Sequence, residues 1–79
     1  MKKFMMTATF QDGTVDLCTV MEDQNPTNGC TFYHIIPSDG NQVMKDDDFI
    51  ACDSISELTR EISGEYRHIE HLKLKEMKP

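Results

Sequence analysis

Apolar and polar residues alternate along the first twenty positions, and the alternation breaks at Gln11-Asp12-Gly13. Phe4, Met6, Ala8 and Phe10 recur at every second place, which marks one face of a strand. Asp-Gly between two such runs is a hairpin signal, because a two-residue type I′ turn needs positive φ at both central positions. That turn sets Phe4 beside Met21, Met6 beside Thr19, Ala8 beside Leu17 and Phe10 beside Val15, an almost wholly apolar face. Met5, Thr7, Cys18 and Val20 then fall on the reverse face.

Residues 22–29 are rich in turn formers and read as an exposed loop. The β-branched and aromatic run Cys30–Ile36 predicts a third strand, and Pro37-Ser38-Asp39-Gly40-Asn41 turns the chain. A short fourth strand is expected between Gln42 and Cys52. Asp46-Asp47-Asp48 interrupts its apolar residues, and mutual repulsion there predicts a bend or bulge. Ser54-Ile55-Ser56-Glu57 fits a capping box, and Ile55, Leu58 and Ile62 form an apolar helical stripe. Gly64 is the expected helix stop. Residues 66–77 carry both periodicities; the alternation Leu72-Lys73-Leu74-Lys75 favours an edge strand guarded by lysine.

These elements predict a single α+β domain over 1–79. It is a small antiparallel sheet in the order ββββαβ, with one amphipathic helix packed on one face.

Composition narrows the functions. The chain has 79 residues, 14 acidic and 8 basic side chains, and a formal charge of −6. Between residues 11 and 57 the only base is Lys45, so that stretch is strongly acidic and repels phosphate backbones. Direct nucleic-acid binding is not expected. No apolar run approaches the roughly 20 residues that span a bilayer. The opening Met-Lys-Lys-Phe-Met-Met resembles the head of a signal peptide, but Thr7 and Thr9 break its apolar stretch and no small-x-small cleavage pattern follows. Cys18, Cys30 and Cys52 cannot all pair within one chain and match no C-x-x-C element. Reduced thiols and a cytoplasmic location are the expectation.

No constellation points to catalysis or to a cofactor. His34, His68 and His71 have no H-x-x-x-H or H-E-x-x-H spacing. Asp46-Asp47-Asp48 is three consecutive carboxylates, which do not converge on one ion, and Asp23-x-Asn25-x-Thr27 starts a calcium loop that Gly29 and His34 fail to complete. Cys52 stands just before the helix start, where a dipole lowers a thiol pKa and a base such as His34 would activate it. A small apolar residue closing the fourth strand is the simpler account of Cys52.

A sheet with one helix leaves its reverse side open, and a semi-apolar open face marks an interface. The expected function is therefore a small non-catalytic protein-interaction module that binds another protein or itself as a homodimer. Its contact residues would be Met5, Thr7, Cys18 and Val20, with Lys73 and Lys75 beside them. Val20→Glu is expected to abolish association and leave the monomer folded. The alternative is an acidic inhibitor or nucleic-acid mimic whose carboxylates fill a basic groove on a partner.

Overall fold

The computed structural model describes residues 1–78; of the expected 1–79 domain, Pro79 lies outside the described residues. The chain forms β1 (Lys3–Phe10), β2 (Val15–Gln24), β3 (Thr31–Pro37), β4 (Asp48–Ala51), α1 (Ile55–Glu65) and β5 (Ile69–Glu76). The strands make one antiparallel sheet in the order β4-β3-β2-β1-β5. This is the α+β fold and the element order read from the pattern. β2 is the central strand, and α1 carries the chain from the β4 edge to the β5 edge across one face.

That face holds the core. Phe4, Met6, Ala8, Phe10, Cys18, Val20, Tyr33 and Ile35 bury their side chains beneath Leu58 and Ile62 of the helix, and Met44 of the β3–β4 loop joins them. The thinnest dimension of the molecule, 19 Å, fits one sheet plus one helix layer.

Two expectations are corrected. The first hairpin does not use a type I′ turn. Gly13 N–H donates to Phe10 C=O at 2.9 Å, and of Gln11, Asp12 and Gly13 only Gly13 takes positive φ, at 91°. This is a type I turn over Gln11 and Asp12 followed by a glycine bulge. Asp12 fixes it by accepting the Thr14 N–H on Oδ1 at 2.9 Å, while Gln11 N–H donates to His68 C=O at 2.8 Å. The extra turn residue shifts the pairing by one place, so Phe4 lies opposite Val20, Met6 opposite Cys18 and Ala8 opposite Asp16. Every β2 side chain changes face as a result.

The helix end is the second correction. α1 runs through Gly64 to Glu65, and Tyr66 caps it in an extended conformation with its N–H on Ile62 C=O. Gly64 is an ordinary helical residue. The start follows the sequence more closely. Ser54 Oγ accepts the Glu57 N–H, whereas the Glu57 carboxylate reaches one residue further back, to the Asp53 N–H at 2.9 Å.

Candidate functional site

Alternation along the strands sorts the residues of the reverse face. β1 contributes Lys3, Met5, Thr7 and Thr9; β2 contributes Val15, Leu17, Thr19, Met21 and Asp23. Phe32, His34 and Ile36 come from β3, Phe49 and Ala51 from β4, and His71, Lys73 and Lys75 from β5. None of these side chains is buried, and no described element lies across them. Phe49 is 63% exposed, Val15 54% and Leu17 42%, so this face presents large apolar side chains to water.

The face is graded from one edge to the other. On the β3–β4 side the His34 ring stacks on Phe49, with centroids 4.2 Å apart and planes at 13°, and Phe32 lies tilted at 6.4 Å from Phe49. Asp47 Oδ2 sits 2.9 Å from His34 Nε2, which places one carboxylate against this aromatic group. The middle rows are apolar or hydroxyl-bearing: Ile36, Thr19 and Met5 lie side by side, and Met21 lies between His34 and Lys3. On the β1–β5 side the charges are all basic, from Lys3, Lys73 and Lys75. A chain of net charge −6 therefore turns its strand-borne lysines to this face and most of its acids elsewhere.

The four contact residues expected from the sequence divide between the two faces. Met5 and Thr7 lie on the reverse face, partly exposed, with Lys73 and Lys75 beside them. Cys18 and Val20 do not. The shifted register turns both into the core at 0% exposure, and their places are taken by Leu17, Thr19 and Met21. Val20→Glu is therefore a core substitution that unfolds the protein and reports nothing about association. Phe32 and Phe49 escaped the sequence reading, and His34 entered it only as a metal ligand or a base for Cys52, because β3 is apolar on both sides and the register of β4 could not be set.

Asp16 is the unexpected member of the core. It is 1% exposed, and it holds the β3–β4 loop in place. Its Oδ1 accepts the Gln42 N–H at 2.9 Å, and its Oδ2 accepts those of Val43 at 2.8 Å and Met44 at 2.7 Å. Burial opposes its ionisation, but these three N–H groups outweigh burial and hold the carboxyl below the usual carboxylate range. Asn41 completes the junction by pairing with the backbone of Leu17 in both directions and donating to Met44 C=O.

The other chemical candidates are separated or already occupied. Cys52 lies on the core side of the sheet, away from His34, and its Sγ points to Ser54 C=O at 3.7 Å. Burial raises its thiol pKa, and Glu57, Glu61 and Asp53 add to the rise, so the helix start does not activate it. Cys18 is pushed up to about 11 by burial and by Asp16. In the turn segment, Asp23, Asn25 and Asn28 each spend a side-chain oxygen on a backbone N–H nearby, those of Gln24, Thr27 and Cys30. Among the described residues no group of three or more His, Cys, Asp or Glu side chains could hold a metal ion. An open groove of 620 Å³ lies between the hairpin tip and the helix end, floored by Phe10, Val43 and Tyr66 with Asp12, Glu65 and Arg67 on its walls. Its charges are mixed. The Glu65 carboxyl is raised by burial and then by neighbouring Asp48 and Glu61.

No helix among the described residues is long and apolar enough to cross a membrane. Comparison with protein-family models, with curated proteins and with solved structures gives no match.

Proposed function

We propose that this chain is a non-catalytic protein-interaction module that works through the open face of its sheet. The observation that carries the reading is the composition of that face: Phe49, Val15 and Leu17 exposed around Met5, Met21 and Ile36, rimmed by lysines on one side. Apolar surface of this extent has a free-energy cost in water that a protein partner relieves, at about 25 cal/mol per Å² covered. An open sheet face suits another protein surface better than a small molecule.

The test replaces exposed residues of the face, Phe49→Asp and Leu17→Lys, and compares capture of partners or self-association with the unaltered chain. Both changes leave the core untouched, so urea unfolding should shift little while association is lost. Association that survives both substitutions would defeat the reading.

A second reading rests on the helix side. Burial first, and then the neighbouring charges of Asp48 and Glu61, raise the Glu65 pKa, and this grouping of acids would fit a basic groove on another protein. Such binding would weaken steeply with salt, because it is mainly electrostatic. Capture that is insensitive to salt and lost on changing Phe49 favours the sheet face over this alternative.

A further inference from the structure

We infer that the partner seated on the open face is a second copy of the same chain, related by a two-fold axis that runs along the central strand β2. The inference rests on the reading of this face as an interaction surface and goes on to name its occupant.

The argument is one of symmetry and charge. An axis parallel to the strands and centred over β2 sets the β4 edge of one copy against the β5 edge of the other, and β3 against β1. An axis across the strands would instead bring each lysine edge onto itself. Only the first arrangement matches the two edges in sign. It carries Asp47, held on the open face by its contact with His34, toward Lys75 of the second copy. It carries Ile36, which shares a row with Thr19 and Met5, onto Met5 of the second copy. Phe49 shares its row with His34, Met21 and Lys3, and Met77 N–H bonds Lys3 C=O at 2.8 Å, so this row ends at Met77. The axis therefore sets exposed Phe49 against exposed Met77 of the second copy. Val15, Leu17, Thr19, Met21 and Asp23 of β2 all lie along the axis and meet their own counterparts, with the like-charged Asp23 pair at the exposed end of the strand.

Sheets stacked in this way keep their strands within about 30° of each other, which preserves the row matching near the axis. Five strands of four to ten residues, spaced about 4.8 Å apart, give a footprint on the order of 600 Å² per copy, at the lower end of stable interfaces. The same stacking supplies each sheet with the second apolar layer that its helix gives it on the other side.

Sedimentation velocity over a concentration series tests this with the full chain and three variants. The unaltered chain should form a dimer. Met21→Glu places two carboxylates beside the axis and should leave only monomer, with its unfolding transition retained. Lys75→Glu should weaken the dimer about tenfold, because two rim pairs become repulsive. The combined Asp47→Lys, Lys75→Glu chain exchanges the two signs and should recover most of that loss. A dimer indifferent to Met21→Glu overturns the inference and moves the contact to a sheet edge. Failure of the combined variant to recover overturns the stated axis. A chain that stays monomeric, or that retains a single-stranded oligonucleotide on this face as a monomer, overturns the second copy as occupant. If such a monomer still captures another protein in a manner lost with Phe49→Asp, the interaction module stands without self-association. If Phe49→Asp changes nothing, both fall together.

Discussion

Replacing Asp16 is the sharpest probe of how this small domain holds together. The carboxylate is 1% exposed and accepts three backbone N–H groups, from Gln42, Val43 and Met44. Hydrogen bonds to a charged group contribute about 1.5–3 kcal/mol each, and a buried donor left unpaired costs about 1–3 kcal/mol. Gln42 and Val43 are exposed, so water can replace part of what they lose; the Met44 N–H is buried and cannot be so rescued. Asp16→Ala should therefore cost about 3–5 kcal/mol, and Asp16→Asn about 2–3 kcal/mol, since its amide group offers one accepting oxygen in place of two. A chain of this size has only roughly 4–12 kcal/mol of stability in all. Urea unfolding at neutral pH reads the difference directly. The pH dependence adds a second check with a defined sign. The folded carboxyl lies below its unfolded value, so the folded state binds the proton less readily. Its stabilisation is complete above the unfolded pKa of about 4 and drains away as pH falls through the folded pKa. The gap between the native chain and Asp16→Asn should thus narrow below about pH 4. A loss under about 0.5 kcal/mol for Asp16→Ala, or a gap that widens in acid, would refute the role given to these three bonds.

Other predictions follow from the same geometry. Val20→Glu should unfold the protein, since it puts a carboxylate into the core, and circular dichroism of this variant distinguishes the observed register from the alternative one; Thr7→Glu, on the open face in either register, is the control and should change stability by no more than about 0.5 kcal/mol. Gly13→Ala should cost about 1 kcal/mol from its positive φ alone, as open space surrounds the site, and a thermal melt measures it. A thiol probe on the native protein should label exposed Cys30 first and Cys52 more slowly than a free thiol, and should reach Cys18 only on unfolding; fast labelling of Cys52 would restore a nucleophilic role for it.

Much of the architecture was legible in the residues. The β1 face, the element order, the helix start at Ser54 and the edge strand with Lys73 and Lys75 all follow from period and turn chemistry. The register of β2 did not follow, for a physical reason. Both faces of that strand are semi-apolar, Val15, Leu17, Thr19 and Met21 on one and Asp16, Cys18 and Val20 on the other, so burial alone discriminates weakly between them. Asp-Gly is compatible with a two-residue turn and with a three-residue turn ending in a glycine bulge. What decides is long-range: the Gln11 N–H bond to His68, and the loop backbone at 42–44 that makes a buried Asp16 tolerable. Neither is visible in the local sequence. The candidate face was foreseen as a place, through Met5 and Thr7, but half its residues belong to strands whose pairing no turn signal fixes.

The measurement closest to the central claim is native mass spectrometry of the protein purified gently from its own host without chelators. The account predicts a metal-free assembly: twice the 9.1 kDa chain, or the chain with another protein, dissociating when Phe49 is replaced by Asp. A monomer carrying a stoichiometric metal ion or small molecule would contradict it, and would shift the working site from the open sheet face to the groove at the helix end.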